Sequence, residues 1–203
     1  LCVAEVSVYA VYNMVANAIK KVMNSVSSGT GAAFGNMIAK KETETLKNRF
    51  EQFELLVFLL GTFLFTVTAI MLVPFIRVYT AGITDADYHR PVFAILLCIT
   101  EFLLCARIPY EQVVFAAGQF KNTRNMAYFE AALHVVLSVV CVWLIGLEGI
   151  LVGYITATAM RVAVYHIYVS RNLVVRPLTA IVPKLVFSAG CFALCLLLAK
   201  LMP

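Results

Sequence analysis

Charge is scarce in this chain. Asp, Glu, Lys and Arg make up 13% of its 203 residues, against ~25% in soluble domains. An ordinary soluble domain is thereby excluded. Histidine is rarer still, with three residues, and no His-rich constellation forms, so neither metal nor cofactor is expected. There is no Gly-rich phosphate loop. No Ser or Cys nucleophile has a plausible base, so nothing reads as catalysis. No basic cluster carries interleaved aromatics, so the net charge of +5 is not a nucleic-acid signal. Alternation of apolar and polar residues is missing, which argues against a β-barrel. No n-region precedes a small-residue cleavage site, so no signal peptide is read.

Apolar sequence is what the chain has in abundance. Hydrophobic residues make up 62% of it, and the mean hydropathy is +0.90. About 20 apolar residues span the ~30 Å hydrocarbon layer as a helix. Six stretches qualify, at about 3–28, 53–77, 92–117, 125–145, 149–169 and 181–201. The clearest, Leu55–Ile76, has no charge and one interruption, Pro74. The expected fold is all-α, a polytopic membrane helix bundle of about six transmembrane helices. The six cysteines (Cys2, Cys98, Cys105, Cys141, Cys191, Cys195) fall in apolar segments without zinc spacing. They read as small buried hydrophobes.

Connections are short. Gly146-Leu-Glu-Gly149 reads as a tight turn. Residues 78–91 read as a polar loop. Residues 40–52 pattern as an amphipathic or exposed helical link, with Glu44 and Asn48 on one side and Leu46 and Phe50 on another. The loops after the first, third and fifth spans hold Lys40, Lys41, Lys47, Arg49, Lys121, Arg124, Arg171, Arg176 and Lys184, nine basic residues. Three, Arg77, Arg90 and Lys200, lie on the other side. Basic residues in short loops stay cytoplasmic, so the first span is expected to run from outside to inside. Such a span needs an earlier one if the N-terminus is cytoplasmic, and the chain opens at Leu1 in apolar sequence. The expectation is a piece of a longer protein.

Several spans carry polar stripes. At ~100° per residue, Tyr9, Asn13, Asn17, Lys20, Asn24 and Ser27 share an arc of about 80° on the first helix. Two readings stand. The stripe either packs on neighbouring helices through side-chain hydrogen bonds or walls a water-filled cavity, and the Lys20 charge needs water or a counter-charge. Tyr154, Thr158, Arg161, Tyr165 and Tyr168 share a second arc, with Arg161 near mid-membrane. Its planar fork suits phosphate or carboxylate, or a structural ion pair with a residue such as Glu130. His166 lies off this stripe and reads as an interfacial residue near the cytoplasmic end. The third span carries Glu101, Arg107, Pro109 and Glu111. Pro109 is expected to kink it and to act as a hinge, and Arg107 and Glu111 are spaced to pair across the kink. Glu130 and His134, four apart, are either a proton-relay pair or a mutual hydrogen bond. With Glu101 they are the candidates for ion coupling.

Certain motifs carry a resemblance. They are Arg107-Ile-Pro-Tyr110, Ala116-Ala-Gly-Gln-Phe-Lys121-Asn-Thr123, Glu130-Ala131 and Leu137-Ser138. Pro74-Phe-Ile76, Tyr79-Thr-Ala-Gly82, Tyr88 and Gly146-Leu-Glu-Gly149 add to them. In this order and spacing the chain resembles the C-terminal half of bacterial polysaccharide (lipid-linked oligosaccharide) flippases. That family shares a superfamily with multidrug and toxin exporters and the lipid II flippase. The resemblance implies one lobe of a two-lobed transporter of twelve to fourteen helices. Residues 1–203 would form the second lobe and partner a missing N-terminal lobe. It implies a multi-pass protein of the cell inner (plasma) membrane. Its action would be export of an isoprenoid-pyrophosphate-linked oligosaccharide from the cytoplasmic to the outer leaflet, by alternating access. Cavity cations of related flippases engage the pyrophosphate; Arg107 and Arg161 match them, and Lys20 is added from its position. Asn13, Asn17, Tyr154 and Tyr165 would suit sugar hydroxyls. The alternatives are an ion-coupled multidrug exporter of the same superfamily and a non-transporting membrane scaffold.

Overall fold

The computed structural model describes residues 3–83 and 86–201, and every described element is helical. The helices are α1 (Val3–Ser27), α2 (Thr30–Ala39), α3 (Thr43–Tyr79), α4 (Pro91–Ala106), α5 (Ile108–Ala116), α6 (Phe120–Ile145), α7 (Glu148–Asn172) and α8 (Val182–Leu201). A 3-10 turn, Leu178–Ile181, precedes α8. Five segments are long and apolar enough to cross a membrane: α3, α4 with α5, α6, α7, and Leu178–Leu197. The chain is a helical membrane protein. Helix α1 is not among the five; Asn13, Asn17, Lys20 and Lys21 lower its apolarity.

The spans expected from sequence differ from the helices in three places. Residues 40–52 are no separate link, because α3 begins at Thr43 and runs for 37 residues. At 1.5 Å per residue it is far longer than the ~30 Å hydrocarbon layer. Its register explains this. Leu46, Phe50, Glu54, Val57, Phe58 and Gly61 recur at helical spacing and form one stripe facing the bundle. Residues 30–39, unassigned in the sequence reading, form α2. Gly29 (φ 86) turns the chain out of α1 in a left-handed conformation, and α2 then buries Phe34. Lastly, the third span is broken. Helix α4 ends at Ala106 and α5 starts at Ile108, with Pro109 in the first turn of α5. Proline is tolerated there because first-turn amides lack intrahelical partners.

The buried apolar residues form two clusters. One, toward the end where α1 stops, includes Met23, Phe50, Phe58, Phe65, Phe102, Tyr110, Val162 and Tyr165. The other includes Val8, Tyr12, Ala16, Leu72, Ile76, Phe93, Leu97, Leu147 and Leu151. Lys20 falls between the clusters along α1, Glu101 along α4, and Thr158 and Arg161 along α7. At Lys20, Glu101 and Arg161 charge therefore enters the bundle at the seam between its two apolar halves.

Helices α6 and α7 make the closest pair. A Cβ on Gly149 would lie 2.3 Å from the Cys141 backbone, and one on Gly153 would lie 2.6 Å from the Ser138 nitrogen. Glycines four apart let two backbones touch. At the end of the bundle where α1 begins, the Tyr12 hydroxyl donates to the Tyr88 carbonyl (2.8 Å) and accepts the Arg90 amide (3.2 Å). Arg90 pairs with Glu148 at 3.6 Å. Of the cysteines, Cys98 and Cys105 are buried as expected. Cys141, Cys191 and Cys195 are half-exposed, a correction explained by their place on α6 and α8, which present most of their surface outward. Cys2 and residues 84–85 of the 78–91 loop lie outside the described residues.

Candidate functional site

The seam holds a chain of ion pairs. Lys20 Nζ lies 2.9 Å from Glu101 Oε2; the lysine is 30% exposed and the glutamate 4%. Arg107, the residue at the α4–α5 break, reaches Glu111 with Nε and Glu130 with Nη1, each at 2.9 Å. Glu130 Oε2 takes Arg161 Nη1 at 3.0 Å. Arg161 Nη2 donates to the Tyr165 hydroxyl at 2.8 Å, and its guanidinium sits 4.5 Å over the Tyr165 ring. Glu130 thus holds two arginines from two elements, one oxygen to each. Three cations face three carboxylates, so the seam is neutral as a whole.

These contacts bear on the readings left open by sequence. Lys20 has a counter-charge, and the face of α1 carrying Tyr9, Asn13 and Asn17 is half-buried, beside the fully packed face of Val8, Tyr12 and Ala16. Arg161 has Glu130, the ion-pair partner foreseen as one option. Arg107 and Glu111 pair as their spacing allows. The Glu130–His134 pairing is not made. Two arginines take the carboxylate, while the His134 ring stacks on Tyr154 (4.3 Å, 17°), so the mutual hydrogen bond is not formed in this structure. Glu101 lies apart from both, on Lys20. The candidate sugar-binding residues Asn13, Asn17 and Tyr154 are half-buried, and Tyr165 is fully buried under Arg161. Five buried polar atoms in the seam make no hydrogen bond among the described residues: Glu101 Oε2, Arg107 Nε and Arg161 Nη1 have an ion-pair contact only, and Arg161 Nε and Thr158 Oγ1 have neither.

A second ionic cluster escaped the sequence reading. Glu54 is fully buried. It accepts both terminal nitrogens of Arg176 at 2.6 Å each, together with Lys184 Nζ and the Tyr110 hydroxyl. Arg176 Nε donates to Ser170 Oγ (3.2 Å), and its guanidinium lies 4.7 Å over the Phe50 ring. Burial alone would lower the Arg176 pKa, but the bidentate Glu54 carboxylate holds it above the ordinary guanidinium value. His166 packs here as well. Its Nε2 lies 2.9 Å from the Leu178 carbonyl and its Nδ1 3.3 Å from the Tyr110 hydroxyl. It is buried within the protein, because the loop after α7 folds back over it. Arg176 and Lys184 are therefore not free loop cations. Without them the basic residues on that side still number seven against three.

The cluster ties α3, α5, α7 and α8 together at one end. Helix α5 carries Tyr110 into it and Glu111 into the seam, so one short helix serves both. The signal for Glu54 was present in the sequence. It is in register with Leu46, Phe50, Val57 and Phe58, and a carboxylate on an apolar stripe must find a partner.

An open groove of ≈ 590 Å³ lies between α5, α6 and α7, and Glu111, Lys121, Arg124 and Arg161 are among its lining residues. Among the described residues no group of three His, Cys, Asp or Glu is placed to hold a metal ion. Comparison with protein-family models, with curated proteins and with solved structures finds no match.

Proposed function

We propose that this chain is one lobe of a transporter that flips an isoprenoid-pyrophosphate-linked oligosaccharide from the cytoplasmic to the outer leaflet of the plasma membrane. The observation that carries this reading is Arg161. It is 6% exposed, lies midway along a membrane-spanning helix, and keeps one nitrogen unpartnered beside an open groove. A charge at such depth costs at least ~2.5–3.5 kcal/mol on insertion scales, and functional pathways are where such charges are kept. Four ion pairs within the spans exceed what an anchor requires. Glu130, shared by Arg107 and Arg161, acts as a placeholder. A cargo diphosphate would take both guanidiniums and displace the carboxylate, and its departure would let Glu130 return. The planar forks suit a bidentate anion. The break at Arg107 supplies a place for the third span to bend as the lobes rock, with Pro109 keeping it open.

The multidrug-exporter alternative needs a carboxylate free to take a cation. Glu101 and Glu130 are both bound to basic side chains, which disfavours it.

The test uses the intact protein and reads surface glycan and membrane protein level together. Arg161→Ala is expected to abolish glycan, and Arg161→Lys to retain part of it. The double variant Arg161→Gln/Glu130→Gln leaves Arg107 balanced by Glu111 and should restore folded protein without restoring glycan. Normal glycan in that double variant would refute a cargo role for Arg161.

A further inference from the structure

The inner groove differs from the seam in one respect: its charge is not balanced. Arg161 and Glu111 belong to the neutral seam. Lys121 and Arg124, at the mouth of the groove, pair with no carboxylate among the described residues. They lie in the first turns of α6, a helix of 26 residues whose N-cap residue, Gln119, makes no side-chain capping bond. The first amides of a helix have no intrahelical partner and carry partial positive charge. At the deep end Arg161 is more than nine-tenths buried and its Nε is unpartnered. Donors thus converge on the groove from mouth and floor. One wall is apolar, formed by Phe115 and Phe120 stacked at 5.2 Å. Its volume of ≈ 590 Å³ is within the ~300–1,000 Å³ of small-molecule sites.

We propose that this groove docks a phosphate-bearing amphiphile at the inner membrane surface. Lys121 and Arg124 hold the phosphate, and the first carbons of the chain lie along Phe115 and Phe120. An anion alone would not need the aromatic wall, and an apolar ligand would not need three cations. The inference rests on the reading of the chain as a carrier of a diphosphate-linked lipid, for which the groove is the loading position below the seam. Basic residues on the same side without a groove, such as the exposed Lys40 and Lys41, provide the natural comparison.

The experiment places the full chain in phosphatidylcholine nanodiscs and measures two probes. Phosphatidic acid, at a few mole per cent, is followed by native mass spectrometry. Inorganic pyrophosphate is followed by calorimetry. The expected result is selective retention of phosphatidic acid. Lys121→Gln/Arg124→Gln should weaken it at least tenfold, since one charge-assisted hydrogen bond is worth about that much. Lys40→Gln/Lys41→Gln should leave it unchanged. Lys121 and Arg124 are exposed, so the variant should fold. Equal retention in both double variants overturns the site. Pyrophosphate binding without phosphatidic acid retention assigns the groove to a free phosphate and overturns the amphiphile. Surface glycan in the same variant separates this inference from the transport reading. Normal glycan with lost retention removes the groove from the transport path. Retention that depends on Lys121 and Arg124, with glycan indifferent to every Arg161 variant, refutes the transport reading and leaves the groove.

Discussion

Removing the Glu54 charge should be among the most damaging single changes in this protein. Glu54→Gln keeps the side-chain shape but leaves Arg176, with a fully buried side chain, and Lys184, with a side chain 15% exposed, facing each other without a counter-charge. Stranding one side of a buried pair costs ~3–5 kcal/mol. Lys184 recovers part of this by reaching toward water, but Arg176 is stacked on Phe50 and bound to Ser170 and cannot follow. The expected loss is therefore ~3 kcal/mol or more. Replacing the pair is a different matter. Glu54→Leu/Arg176→Met removes both buried charges, and such exchanges are often neutral or stabilising; the double variant should recover at least half of the loss. Reversible unfolding of the purified chain in mixed micelles by added SDS, followed by circular dichroism, measures both. The folded-state pKa of Arg176 is raised, so its contribution is fully present below the unfolded value and is lost only as pH rises through the folded one. The Glu54→Gln loss should then be constant across the neutral range. A loss below ~1 kcal/mol, or a double variant no better than the single, would refute the claim that this cluster anchors its end of the bundle.

Other outcomes follow from the same geometry. Gly153→Leu drives a side chain into the Ser138 backbone of α6, which has no room to move, and should cost ~1–3 kcal/mol by overpacking in the same SDS titration; Gly190, with nothing near its Cβ position, should tolerate alanine. Lys20→Met strands Glu101 and should lower the amount of folded protein in membranes, while Lys20→Met/Glu101→Leu should bring it back. In a cysteine-free background, Ala81→Cys should react with an impermeant thiol reagent on intact cells and Glu44→Cys should not; the reverse pattern would invert the topology. Pro109→Ala should slow glycan export at normal protein level, and unchanged export would remove the hinge role.

Membrane character and the helical class were decided by the sequence. A chain that is 62% hydrophobic in runs of about 20 residues can satisfy its backbone in lipid only as helices. The polar stripes on α1 and α7 were legible for the same reason, since helical geometry alone puts Asn13, Asn17 and Lys20, or Thr158, Arg161 and Tyr165, on one face. The Arg107–Glu111 pairing was also readable, because the two are four residues apart and the backbone at the break keeps helical angles. Partners across helices were not. That Arg107 and Arg161 share Glu130, that Lys20 finds Glu101, and that His134 turns to Tyr154 instead of Glu130 all depend on how separate helices align, which no local spacing encodes. The fate of Glu54 shows the boundary best. Its register on the apolar stripe announced that it would be buried, but its cations come from 122 and 130 residues away. Only the fold of the chain after α7 brings Arg176 and Lys184 to it, because a buried carboxylate takes whatever donors the packing delivers.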